Sequence, residues 1–217
     1  MVTERNNGAD IAYITRIFVN EPNYITASRA AGEQRRPGMQ ISAYEGHLLQ
    51  WLVRISGAKN ILEIGTFMGT STLWLAGALP ENGLITTLEA SEEYAALARQ
   101  HFAASPLVDR IEIAQGPALE WFKTRPAVPQ FDLVFIDADK NNYANYLEKV
   151  LPRMNKRGWI IGDNTLLFGV MSGEKQDAAS AAAKVAMTKF NETLADPTRF
   201  ESVLLPTIEG MTVARLK

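Results

Sequence analysis

The chain has 217 residues, 47 % of them hydrophobic and 21 % charged, which is enough apolar material for one ordinary globular core. Its 22 basic and 24 acidic side chains leave a net charge of −2, which excludes a broad electrostatic footprint for nucleic acid or anionic lipid. With no cysteine and two histidines, disulfides, thiolate catalysis, cysteine–zinc and iron–sulfur centres and multi-histidine metal sites are excluded as well.

Residues 1–10 are polar and show neither the basic start nor the apolar stretch of a secretory signal. No window reaches the roughly 18 uninterrupted apolar residues of a membrane helix, so a cytoplasmic protein without a membrane partner is expected. Helical spacing predicts helices over 9–20, 22–35 and 42–56, the last carrying Leu48, Leu49, Leu52, Val53 and Ile55. Arg36-Pro37-Gly38 breaks the chain before that third helix.

From residue 58 the pattern changes to short apolar runs alternating with amphipathic stretches. Strands are predicted over 60–64, 83–89, 110–114, 131–137 and 158–162, and helices over 70–79, 91–104, 118–124 and 142–154. The run Leu133-Val134-Phe135-Ile136 is apolar throughout, as a parallel strand covered on both faces requires. An alanine-rich helix over 175–194 and two closing strands over 200–205 and 210–216, read as an antiparallel pair, complete the chain. The expectation is one α/β domain over 1–217, with a helical extension (1–57) on an α/β core (58–217). Trp51, Trp74, Trp121 and Trp159 are expected to face the core, His47 to be structural and His101 to face solvent.

The stretch from Ile61 to Ser71 runs from a strand through Gly65 and Gly69 into a helix. In an open parallel sheet, ligands bind beyond the carboxyl ends of the strands, where glycines let backbone approach them closely. The spacing is neither G-x-G-x-x-G nor a P-loop, and the two glycines alone equally describe an ordinary strand–helix turn. Glu89 adds to them, because an acid ending the next strand can accept hydrogen bonds from the ribose hydroxyls of an adenosine. Glu63, Gly65, Gly69 and Glu89 together resemble the glycine loop and second-strand acid of class I S-adenosylmethionine-dependent methyltransferases.

The fourth predicted strand ends in Asp137-Ala138-Asp139-Lys140 and the fifth in Gly162-Asp163-Asn164. On adjacent parallel strands, Asp137, Asp163 and Asn164 converge into a hard, all-oxygen set suited to Mg²⁺, Mn²⁺ or Ca²⁺. Taken separately, they read as a turn and a helix cap. Lys140 sits at the mouth of the same site. Phe168, Met171, Gly169 and Gly173 follow in a loop that reads either as a pocket wall or as mobile surface. Two basic clusters stand out: Arg35-Arg36, which could meet an anionic substrate tail, and Arg153 with Lys156-Arg157, which suits a helix carboxyl end.

These segments resemble the cation-dependent O-methyltransferases, the group of caffeoyl-CoA and catechol O-methyltransferases, most closely the caffeoyl-CoA type and its bacterial relatives. The matching stretches are Met39-Gln40-Ile41-Ser42-Ala43-Tyr44-Glu45-Gly46, the segment from Glu63 to Ser71, Gly116-Pro117-Ala118-Leu119, the run from Asp137 to Tyr143, and Gly162-Asp163-Asn164-Thr165-Leu166. The resemblance implies a Rossmann-like, seven-stranded, mostly parallel sheet in the order 3-2-1-4-5-7-6. It implies Asp137, Asp163 and Asn164 as metal ligands, with Lys140 (the general base) and Asp137 as the catalytic pair. Met39, Ile41, Glu63, Gly65, Thr66, Ser71, Glu89, Ala118, Asp137 and Asp139 would line the S-adenosylmethionine pocket. Position 41 is often Thr or Val in relatives, so Ile41 would contribute backbone and packing only.

The implied activity is divalent-metal-dependent methyl transfer to a hydroxyl of a small vicinal dihydroxy aromatic substrate, by a homodimer. One alternative is tRNA hydroxyuridine methylation by the same family, against which the net charge argues. A dinucleotide-binding oxidoreductase, or a non-catalytic cofactor-binding module, is the alternative from a different class.

Overall fold

A computed structural model describes residues 7–175 and 179–217. The first three helices are α1 (Asn7–Phe18), α2 (Asn23–Arg35) and α3 (Ala43–Ser56). The ends of α3 are written in its sequence. Ser42 and Glu45 form a reciprocal capping box at its start, and Gly57 closes it in the left-handed conformation at φ 67°.

Seven strands follow: β1 (Asn60–Ile64), β2 (Leu84–Glu89), β3 (Ile111–Gln115), β4 (Phe131–Ile136), β5 (Met154–Asp163), β6 (Phe200–Leu205) and β7 (Met211–Leu216). They form one sheet in the order β3-β2-β1-β4-β5-β7-β6, in which β7 runs antiparallel to both its neighbours. The helices α4 (Thr70–Ala76), α5 (Glu92–Ala103), α6 (Ala118–Lys123), α7 (Tyr143–Val150) and α8 (Ala181–Leu194) lie between the strands. Successive strand residues point to opposite faces, so the apolar runs in β1 and β4 feed two cores at once. Ile61, Phe135 and Ile161 pack with Leu49, Trp74 and Phe102 on one face. Leu62, Val134 and Ile160 pack with Tyr143, Met187 and Phe190 on the other.

The departures from expectation have local causes. The helix predicted through residue 154 ends at Val150, because Pro152 has no N–H with which to continue the ladder, and Met154 already belongs to β5. The longer β5 absorbs a register shift opposite Phe131 and Leu133, with Arg157 left-handed at φ 61°. Arg153 is 4 % exposed and donates to the carbonyl oxygens of Lys149, Phe122 and Arg125, closing the carboxyl ends of α6 and α7 together. The helix expected from 175 begins instead at Ala181 behind the Ser180 cap, and 176–178 lie outside the described residues. Trp74 is fully buried as expected, but Trp51 is 53 % exposed on the outer side of α3. His101, expected in solvent, is partly buried, and burial lowers its pKa. Among the described residues, no helix is long and apolar enough to cross a membrane.

The six-residue helix α6 borders a hollow against β1, β2 and β3. A cavity of about 670 Å³ remains there, lined by Thr86, Glu112, Trp121 and Arg125 among others. It lies at the sheet edge opposite the convergent acids.

Candidate active site at the carboxyl edge of the sheet

Leu88, Ile64, Ile136 and Gly162 stand in one row across β2, β1, β4 and β5. The residues that follow them, Glu89, Gly65, Asp137 and Asp163, are therefore set side by side along one carboxyl edge.

Gly65 has φ 101°, and a Cβ added to it would lie 1.9 Å from the backbone oxygen of Asp137. Only glycine fits that close approach. Gly69, at φ 82°, likewise admits the Phe102 ring, 2.3 Å from where its Cβ would be. Glu63 does not point into the open edge. It is fully buried beneath the glycine turn and accepts hydroxyl hydrogen bonds from Ser71 (2.6 Å), Thr87 (2.6 Å) and Thr72.

Burial pushes the Glu63 pKa up to about 7, against the pull of those three hydroxyls. The folded chain thus holds this proton more tightly than the unfolded chain does. The associated stability is present below the ordinary carboxylate value near 4.5 and is lost as pH rises through 7. Urea unfolding at about pH 5 and about pH 8 should show the wild type losing roughly 2–3 kcal/mol more than Glu63→Gln over that interval. Parallel pH profiles for the two proteins would refute this.

Glu89 is 8 % exposed and is held by backbone donors: Thr66 (3.2 Å) and Phe67 (2.7 Å) on one oxygen, Ser91 (2.9 Å) on the other. Phe67 adopts φ 49° to present its N–H, and its ring meets Tyr94 edge-on at 4.7 Å. Thr66 is buried against Thr87, with 2.6 Å between their hydroxyls. Ser71 and Ala118 are each 8 % exposed, Ala118 at the start of α6 behind Pro117. Ile41 is 6 % exposed, consistent with packing, whereas Met39 is 49 % exposed.

At the acidic end of the row, Lys140 Nζ donates to Asp137 Oδ1 at 2.9 Å and to the Tyr143 hydroxyl at 2.7 Å. The Tyr143 hydroxyl lies 2.8 Å from the carbonyl oxygen of Asp163, to which it donates, joining the ends of β4 and β5. Asp139 is exposed and accepts from the Tyr146 hydroxyl and from Asn142 Nδ2 (2.8 Å). Asp163 is 3 % exposed. Burial, with Asp137 and Glu45 as negative neighbours, raises its pKa well above the carboxylate range, and Lys140 opposes that rise.

Asn164 is left-handed at φ 53°, and its backbone N–H donates to Asp163 Oδ1 at 2.9 Å. Among the described residues, no donor reaches the second Asp163 oxygen, and the Asn164 side-chain amide has no partner. Nor do three His, Asp or Glu side chains gather there into a cation cage. The candidate donors here are two carboxylates and one amide oxygen. Their mutual repulsion, burial and unused acceptors fit a hard dication that takes the rest of its shell from water or substrate.

The loop beyond Asn164 also places Leu167 (φ 52°) and Phe168 (φ 56°) in the left-handed region, uncommon for such side chains. Leu167 is fully buried and anchors the turn, leaving Phe168 38 % exposed. His47 meets Trp74 edge-on at 6.3 Å, in keeping with a structural role. Sequence reasoning gave no role to Tyr143, Tyr146, Thr72, Thr87 or Glu45. Of these, Tyr143 and Glu45 had a usable signal, since both lie within matched stretches, Asp137–Tyr143 and Met39–Gly46.

The strand order, the glycine turn and the acids at three strand ends define a class I, Rossmann-like methyltransferase fold. The profile of the O-methyltransferase family matches residues 17–217, and the chain belongs to that family. It is 32 % identical over 198 residues to a catechol O-methyltransferase of Niastella koreensis, covering 89 % of each chain. It is 31 % identical over 184 residues to a caffeoyl-CoA O-methyltransferase of Populus kitakamiensis, covering 82 % of this chain and 78 % of that one. The O-methyltransferase of Bacillus cereus, solved in complex with SAH, superimposes with a TM-score of 0.85 at 33 % identity over 96 % of this chain and 97 % of that one.

Proposed function

We propose that this chain transfers the methyl group of S-adenosylmethionine to one hydroxyl of a small vicinal dihydroxy aromatic compound, assisted by a divalent cation. The observation that carries this reading is the pairing of Asp137 with buried Asp163 at adjacent strand ends, beside the glycine turn. Asp137, Asp163 and Asn164 would hold the cation, with Mg²⁺ the best match and Mn²⁺ or Ca²⁺ also compatible with the oxygen set. When bound there, a dication lowers the pKa of a coordinated hydroxyl.

The remaining work falls to the chain's own side chains. Glu89, its carboxylate aimed by three backbone N–H groups, would accept from the ribose hydroxyls. Gly65 and Thr66 bring backbone against the cofactor, while Glu63 supports that turn from beneath through Ser71. Met39, Ile41 and Ala118 supply apolar walls, and exposed Asp139 an acceptor for the cofactor's ammonium group. Lys140, aimed by Asp137 and Tyr143, would receive the substrate hydroxyl proton. Exposed Phe168 would flank the substrate ring. Holding acceptor oxygen and methyl donor in line accounts for most of the rate gain, because no covalent enzyme intermediate is required.

A tRNA acceptor is less well supported. Arg153 is committed to three carbonyl oxygens and Arg35 to Glu93, so both basic clusters are diminished. The exposed apolar side chains of Ile17 and Phe18 on α1 and Trp51 and Ile55 on α3 support the expected homodimer.

The test is labelled methyl transfer from S-adenosylmethionine to a panel of catechols and matched monophenols, with and without chelator. Catechols are expected to be methylated, monophenols not, and chelator to suppress the reaction until Mg²⁺ is restored. Equal rates on both classes, or indifference to chelator, would overturn the reading.

A further inference from the structure

Helix α2 lies outside the sheet, yet one of its faces touches three separate parts of the proposed cofactor cradle. Ile25, Ser28, Gly32 and Arg35 follow a 3-4-3 spacing that puts them on one stripe, running about 15 Å along the axis. Ile25, Ser28 and Gly32 are its buried residues. The stripe is short of large apolar groups, so hydrogen bonds and close backbone approach carry much of the docking.

Ser28 is fully buried and reaches the glycine turn. Its hydroxyl donates to the Met68 carbonyl oxygen at 2.8 Å and lies 3.0 Å from the Thr70 hydroxyl, at the first residue of α4. One turn on, Gly32 seats the Gln40 amide, whose nitrogen lies 1.8 Å from where a Cβ on Gly32 would be. Gln40 sits between Met39 and Ile41, the two apolar residues assigned to the cofactor pocket. At the carboxyl end of the stripe, Arg35 pairs with Glu93 at 2.5 Å, in the first turn of α5, just beyond Glu89 and Ser91. Glycine turn, 39–41 segment and the first turn of α5, four residues beyond the ribose-side acid, therefore each contact the same helix.

We propose that α2 is a clasp on the cofactor cradle, with Ser28 as its positioning residue, and that clasp docking and cofactor binding strengthen each other. This rests on the S-adenosylmethionine reading above. Each contact holds the cradle in its binding geometry, so a ligand that needs this geometry must in turn favour the docked helix. The Arg35–Glu93 pair is exposed and contributes less than buried Ser28.

Two measurements test this on the full chain, with S-adenosylhomocysteine as the probe. Hydrogen exchange on the wild type is expected to show amides of 23–35 slowing when the probe binds. By calorimetry, Ser28→Ala is expected to bind the probe about tenfold more weakly and to lose that protection. Arg35→Ala, at the exposed end, is expected to weaken binding by about twofold. Unchanged affinity in Ser28→Ala with a lowered melting temperature would make Ser28 merely structural and overturn the proposal. So would wild-type exchange in α2 that ignores the probe, a result that decides the matter even if Ser28→Ala does not fold. Failure of the wild type to bind the probe at all would instead strike at the cofactor assignment.

Discussion

Asp163→Ala is expected to lower methyl transfer to a catechol by about a thousandfold, the loss that follows from removing several kcal/mol of metal-assisted stabilisation. The same substitution should leave S-adenosylhomocysteine affinity within about threefold, because the cofactor side of the row, Gly65 and Glu89, lies across β1 and β2. Its effect on the fold separates a functional acid from a structural one. Asp163 is 3 % exposed, and burial with Asp137 and Glu45 nearby raises its pKa, so its charge opposes folding at neutral pH. Its side chain accepts one backbone N–H, and the bond from Tyr143 goes to its carbonyl oxygen, which alanine keeps. In chelator, therefore, Asp163→Ala should melt no lower than the wild type. Initial rates, calorimetry and thermal melts in chelator check the three statements. A variant retaining more than about a tenth of wild-type activity would remove Asp163 from the mechanism.

That combination, a residue costly to the fold and needed for turnover, explains why the acids were legible in the sequence at all. Asp137 and Asp163 interrupt apolar runs at the strand ends, where nothing in the core needs a charge, so each stands out against its neighbours. The register between β4 and β5 then makes their meeting unavoidable once the strands are adjacent. β1 and β6 were bounded correctly for a related reason, since turn residues flank clean apolar or alternating runs. The beginning of β5 was not legible. Met154 reads as the end of the preceding helix and Asn155-Lys156-Arg157 as the basic link after it, and only pairing of Met154 with Phe131 makes this stretch strand.

The misread side chains share a cause. Trp51 lies on the same helix as buried Leu49 and Val53, and a bulky indole there invites burial, but it stays 53 % exposed on the outer side of α3. Glu63 was legible as a site residue but not as a support. Its role depends on hydroxyls from Thr72 and Thr87, threonines that look like ordinary helix and strand filler. Tyr143 links Lys140 to the carbonyl oxygen of Asp163 across 20 residues of sequence, a contact that no local pattern encodes. Supporting residues of this kind are set by the third dimension, whereas the residues they support betray themselves by chemistry out of place.

Gly65→Ala should be the most damaging single methyl in the protein, because it strikes both halves of the site at once. At φ 101° the backbone lies outside the region that L residues populate, and the new Cβ would stand 1.9 Å from the Asp137 carbonyl oxygen. No flexible side chain can yield. The obstacle is the backbone at the end of β4, held there by the Asp137 N–H bond to the Ile64 carbonyl oxygen at 2.9 Å. Either the glycine turn lifts, spoiling the approach to the cofactor, or β4 moves away and carries Asp137 and Lys140 with it. The expected cost is about 3–5 kcal/mol, combining backbone strain with overpacking. For a chain of this length that corresponds to a fall of about 10 °C in Tm. S-adenosylhomocysteine affinity should drop by about a hundredfold or more, since no relaxed geometry keeps both strand ends in place. Gly57→Ala provides the comparison. Gly57 is left-handed at φ 67°, with nothing within 4 Å of its added Cβ, and lies at the end of α3 away from the carboxyl edge. It should cost about 1 kcal/mol and leave ligand affinity unchanged. Thermal melts and calorimetry on the two variants separate the strain of a left-handed position from the collision at Asp137. Wild-type affinity in Gly65→Ala would show that the cofactor does not use this turn.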